Sequence, residues 1–135
     1  MVISLTDFPA KTSDTIRYGD TDRQGHVNNS VFSTFLETGR VNFLLVPDAG
    51  IQEGTGFVLA HLELDFHAEL LWPGSVSIGT RVIRCGPTSV QFAQALFQRD
   101  RCSANADSVV VLVDKSSRKP APISDMTKDY LNHWK

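Results

Sequence analysis

One stretch of helical periodicity, followed by a long run of strand patterning, is the feature that most restricts what this chain can fold into. From Ser30 to Leu45, the residues Val31, Phe32, Phe35, Leu36, Gly39 and Phe43 fall near helical spacing, and Pro47 ends the segment. Beyond it, Val58, Ala60, Leu62, Leu64 and Phe66 alternate with Leu59, His61, Glu63, Asp65 and His67. That is period two, the spacing of a strand and not of a helix. A turn from Trp72 to Ser75 leads into Val76, Ile78, Thr80 and Val82, and Gly86 to Ser89 turns again into Val90, Phe92, Gln94 and Leu96. Val109 to Val113 is apolar on both faces and reads as a central strand. One more strand, Lys11 to Tyr18, precedes the helix and places Ile16 and Tyr18 on one face. A helix of about 16 residues is about 24 Å long, and its apolar side needs a surface of similar length to cover. The patterning therefore predicts an α+β fold, with one antiparallel β-sheet of about five strands wrapped around a long central helix. The polar tail from Lys115 to Lys135, opened by Pro120 and Pro122, is expected to end in a short helix.

The chain has 135 residues, the size of one domain, so residues 1–135 are expected to form a single unit. Hydrophobic residues make up 41% and charged residues 21%, the balance of a globular core with a solvated surface. A net charge of -2 without a basic stripe argues against nucleic acid as a partner. No stretch approaches the roughly 20 apolar residues of a membrane span. The first residues lack the basic start and apolar run of a signal peptide. Cys85 and Cys102 match no zinc or CxxC spacing, which points to a reducing cytoplasm and a core without disulfides.

Chemistry concentrates between Gly19 and Asn29, GDTDRQGHVNN, a segment crowded with turn and cap residues just before the helix. On composition alone, Asp20 and Asp22 are turn residues, and Asn28 and Asn29 are helix caps. A helix start also presents unpaired backbone N–H groups and a partial positive charge, which suits a developing oxyanion. His61, Glu63 and Asp65 can be drawn as a metal set, but same-face residues two apart on a strand more often form a solvated or interfacial face. No metal is expected. Ser89 has no His–Asp arrangement near it in sequence, so a serine triad is unsupported.

The segment RYGDTDRQGHVNNSVFSTFLETGRVNFL closely resembles the hotdog-fold acyl-CoA thioesterases of the 4-hydroxybenzoyl-CoA thioesterase-like family. That family has an Asp-x-Asp-x-x-Gly motif, often His-Val-Asn-Asn, then an aromatic residue and a Glu-x-x-Arg-like helix. Here these are Asp20, Asp22, Gly25, His26, Val27, Asn28, Asn29, Phe32, Glu37 and Arg40. The likeness continues through Pro73-Gly74, Gly86-x-x-Ser89 and Asp114 with the SSRKPAP stretch after it. It implies the hotdog fold and hydrolysis of an acyl-CoA to free acid and CoA. Within it Asp22 is the catalytic carboxylate, as nucleophile or base, and the Asn29 backbone N–H polarises the carbonyl. His26 orients or contacts the acyl group, Asp20 braces the loop, and Glu37 is structural or interfacial. CoA is part of the substrate, so no separate cofactor is implied. Arg84, Arg99, Lys115, Arg118 and Lys119 are candidates for its phosphates, though surface solvation explains each equally well. The resemblance further implies a homodimer or homotetramer with the site between subunits, the polar face of residues 58–67 being available for a tetramer contact. The alternatives are an acyl-carrier-protein thioesterase and a non-catalytic acyl-CoA binding module. A hydratase of the same fold ranks lower, because Asp22-x-x-x-His26 contains no proline.

Overall fold

Asn28 starts the long helix by accepting, through its side-chain Oδ1, the N–H of Ser30 at 3.0 Å. The helix, α1, runs over Asn29–Leu44, one residue ahead of the predicted span at each end. Phe32, Phe35, Leu36, Gly39, Arg40, Phe43 and Leu44 form its buried face. A computed structural model describes residues 2–135, and its strands are β1 (Ala10–Ile16), β2 (Thr55–Phe66), β3 (Gly74–Cys85), β4 (Ser89–Gln98) and β5 (Arg101–Asp114). They form one antiparallel sheet in the order β1-β3-β4-β5-β2, with α1 packed on it. A short helix, α2, spans Asp125–Asn132 in the tail. This is the hotdog fold.

The core lies between α1 and the sheet. Phe32, Phe35 and Leu36 meet Ile16, Val76, Ile78, Leu96, Ala104 and Ala106. Further along, Phe43 and Leu44 meet Val82, Val90, Phe92, Val110 and Leu112. The alternation read from β3 and β4 is therefore the alternation of an inner and an outer face. Gln94 is an inward polar exception, fully buried. Its Nε2 donates to the Leu36 carbonyl at 3.0 Å and to Thr80 Oγ1 at 2.9 Å, while its Oε1 accepts from Arg40 at 3.2 Å. Gly39 allows this close approach, since a Cβ there would meet Ile78 at 2.6 Å and Gln94 at 2.8 Å.

Two expectations are corrected by the fold. The first strand stops at Ile16, not Tyr18, because the Asp20 carboxylate captures the Arg17 N–H at 2.8 Å and turns Tyr18–Asp20 into a short 3-10 helix. Ile16 is buried, and Tyr18 is 72% exposed rather than on the same face. In β2 the clean alternation is interrupted by a register shift between Leu59 and His61, so Val58 and Leu59 are both exposed. β2 is an edge strand, paired only with β5. The strand around Val109–Val113 does lie inside the sheet, as part of β5 between β4 and β2.

The tail closes the far end of α1. Tyr130 donates its hydroxyl to the Phe43 carbonyl at 2.6 Å, satisfying a backbone acceptor in the last turn of the helix. Tyr130 and Trp134 pack on the Phe43 ring. At the N-terminus, Phe8 lies on the outer sheet face against Ala95 and Phe97.

Candidate active site

The loop before α1 is built by backbone contacts that the turn residues make possible. Asp22 N–H donates to the His26 carbonyl at 2.7 Å, and Gly25 N–H donates to the Asp22 carbonyl at 3.1 Å. Gly25 takes φ 85°, a conformation that glycine adopts at little cost. The Asp22 carboxylate accepts, through Oδ1, the N–H of Gln24 at 2.8 Å and that of His26 at 3.3 Å. Its other oxygen, Oδ2, has no hydrogen-bond partner among the described residues. The Asx-turn reading of Asp22 is thus correct for one oxygen and leaves the second open.

Asp20 sits behind this loop, 2% exposed. Burial alone would raise its carboxyl, but hydrogen bonds from the Arg17 side chain and backbone, with the guanidinium charge, outweigh it and hold the group below the usual carboxylate range. The Arg17 guanidinium approaches Asp20 Oδ1 at 2.9 Å. The Asp20 carbonyl accepts the Asn28 N–H at 2.8 Å, tying the brace to the helix start. Asp20 is therefore engaged on the Arg17 side and stabilises the loop.

At the head of α1, Asn28 caps Ser30 and its carbonyl accepts the Val31 N–H at 2.9 Å. The Asn29 N–H has no hydrogen bond among the described residues. The structure thus places the open carboxylate oxygen of Asp22 and the open donor of Asn29 on one short segment, Asp22 to Asn29, linked through His26 and Val27. Val27 is buried, and its N–H donates to the Leu70 carbonyl at 2.9 Å.

His26 is half-buried, and its Nε2 lies 2.9 Å from Glu69 Oε2. Sequence reasoning missed Glu69. It stands between Phe66 and Leu70–Leu71 with no motif around it, and no local signal ties it to His26. Tyr18 and Trp72 also border the loop, their rings in edge contact at 5.1 Å. Of the other singled-out residues, Glu37 is exposed near Arg40, and His67 pairs with Asn105 beyond the end of β2. Arg84 lies at the end of β3, and Arg99 and Arg118 occupy turns with positive φ. A cavity of about 370 Å³ is lined by Asn42, Phe43, Tyr130 and Trp134. Its lining on α1 begins at Gly39, about 15 Å along the helix from Asn29 by helical rise, too far to hold a carbonyl beside Asp22.

Among the described residues, no helix is long and apolar enough to cross a membrane.

The fold recurs in known proteins. A protein of Pseudomonas aeruginosa strain PAO1 is similar in structure, with 26% identity, 98% of this chain and 95% of that chain covered, and a TM-score of 0.89. A predicted thioesterase from Bacillus stearothermophilus is 28% identical over 92% of this chain and 94% of its own, with a TM-score of 0.82. A thioesterase from Thermus thermophilus, solved with coenzyme A and Zn, is 26% identical over 93% of each chain at a TM-score of 0.81. A comparison with functionally curated proteins found no match. The family model for the thioesterase-like superfamily matches residues 16–131, from the end of β1 into α2, and so takes in the whole Asp22 loop, α1 and the four strands that follow. With that span of the fold and sequence matched together, the chain belongs to the thioesterase-like superfamily and is a hotdog-fold thioester hydrolase.

Proposed function

We propose that the chain hydrolyses acyl-CoA thioesters, using Asp22 as its carboxylate and the Asn29 N–H as its oxyanion donor. The observation that carries this is that, among the described residues, Asp22 Oδ2 and the helix-start Asn29 N–H both lack a hydrogen-bond partner and lie on the same braced loop. The thioester oxygen gains charge as its carbonyl is attacked, and a fixed donor strengthens as that charge grows. One such donor is worth roughly 2.7–4 kcal/mol of barrier. Asp22 either attacks the carbonyl, forming an anhydride and expelling the CoA thiolate, or takes a proton from the water that does so. Either way the acyl–sulfur bond breaks, and water supplies the oxygen of the free acid. His26 orients the loop and faces the acyl group.

Coenzyme A as the handle is supported by the similar Thermus enzyme, which was solved with it bound. The chain acts as a homodimer or homotetramer, with the site between subunits. The exposed, half-paired β2 is the edge that a second sheet would join.

The test is thiol release from short, medium, long and aromatic acyl-CoAs, beside matching carrier-protein thioesters and an Asp22→Asn variant. Turnover of CoA esters that falls at least about 10²-fold in the variant is the expected result. Turnover confined to carrier-protein esters would replace CoA with the carrier. Full activity in the variant would remove Asp22 from the reaction.

A further inference from the structure

Arg40 is a buried charge without a counter-charge in its own chain. It is 6% exposed, and no carboxylate lies within ion-pair distance of it among the described residues. Its one hydrogen bond, from Nη1 to Gln94 Oε1 at 3.2 Å, goes to a neutral amide. Burial pulls the guanidinium below its usual pKa, and the charge of Glu37 opposes this only in part. A buried charge left unpaired is costly, so such groups are found with partners. The other guanidinium nitrogens also lack a partner, yet they are not sealed from solvent. Arg40 lines a cavity of about 130 Å³ between α1 and the edge strand β2, shared with Glu37, Val41, Leu45 and Leu59.

Glu37, Val41 and Leu45 are spaced by four residues, so they form one stripe along this side of α1. All three are exposed, as is Leu59 below them. The Glu37 carboxylate has no hydrogen bond or ion pair among the described residues. An apolar stripe that carries an unpaired acid and an unpaired base three positions apart is self-complementary. In a contact about a two-fold axis, each of the two residues meets the other's counterpart, once on either side. The run of α1 suits such an axis. Phe32 touches Phe66 at one end of β2, and Leu44 shares the cavity with Phe57 near the other, so α1 runs antiparallel to β2. The middle of β2 therefore lies beside the middle of α1. An axis passing Thr38–Gly39 sets position 37 of each helix against position 40 of its copy.

We propose that α1 packs against α1 of a second copy of this chain, with Arg40 of each subunit paired to the partner subunit's Glu37. The proposal rests on the reading of a site between subunits, and names the contact that joins the helices once the β2 edges meet.

The test uses Glu37→Arg, a change at an exposed side chain, and Arg40→Met, which fills similar space without charge and is commonly tolerated by a fold. In a concentration series by sedimentation, Glu37→Arg is expected to raise the dimer Kd at least about tenfold, because each contact then sets two cations together. The second measurement co-expresses the two variants, one carrying a tag, and counts dimers by native mass spectrometry. The mixed dimer keeps one Arg40–Glu37 contact and has none between two cations, whereas the pure Glu37→Arg dimer has two. Mixed dimers in excess of random assortment are expected. Random assortment, or a Glu37→Arg dimer as tight as wild type, would overturn the pairing and leave the dimer standing. The Arg40 counter-charge would then lie elsewhere, as on a small carboxylate ligand. A wild type that stays monomeric would end the dimer reading and this contact together. Neither measurement depends on turnover, so an error in the substrate does not touch them.

Discussion

At Asp20 two effects of opposite sign meet on one carboxyl. Burial favours the neutral acid, the Arg17 hydrogen bonds and charge favour the anion, and the anion wins. A carboxyl whose folded pKa lies below its unfolded value contributes stability that is present above the unfolded pKa, ordinarily about 3.9, and lost as pH falls through the folded pKa. Wild type should therefore lose stability between about pH 5 and the acid limit, and Asp20→Asn should flatten that part of the curve. Urea midpoints measured across this window test it, and parallel curves for the two proteins would show that the Arg17 contact is not coupled to folding. Asp22 differs from Asp20 in its setting, since it is half-buried at the loop surface and keeps one oxygen open. Identical residue types two positions apart thus serve as brace and candidate catalyst. The motif hinted at this division, and burial gives the two carboxyls their different settings.

At the scale of elements, α1 depends on its cap and on one glycine. Asn28→Ala removes the acceptor for Ser30 N–H and for the Ser30 hydroxyl. A loss of about 1 kcal/mol is expected, read as a lower urea midpoint with unchanged slope. Gly39 makes the opposite case. Alanine there gains up to about 1 kcal/mol of helix propensity. Its Cβ, however, would meet Ile78 at 2.6 Å and the Gln94–Thr80 pair at 2.8 and 3.1 Å. Overpacking of this kind costs about 1–3 kcal/mol, so Gly39→Ala should lower Tm despite the better helix former. A raised Tm would mean that α1 can move off the sheet without loss. The helix bounds were legible to within one residue because capping and periodicity are local. The contacts behind Gly39 were not, because Thr80 and Gln94 reach it only through the wrap of the sheet.

The whole molecule leaves β2 with one neighbour over all of Thr55–Phe66, and Val58 and Leu59 exposed at 43% and 48%. An unpaired edge of that length invites a partner strand. Light scattering should give at least a dimer, and Leu59→Asp, a change at an exposed side chain, should shift it toward monomer with loss of turnover. A folded and fully active monomer would end the reading of a site between subunits.

The helix, the presence of each strand, the turns and the Asp22 loop could be read from the sequence, because each rests on neighbours within a few residues: period, caps and turn chemistry; the early end of β1 and the break in β2 could not. Strand order, the edge position of β2, the burial of Gln94 and Arg40, and the pairing of His26 with Glu69 were decided only when the sheet closed over α1. These contacts join residues far apart in the chain, and only the burial of one apolar face against another selects among their possible pairings.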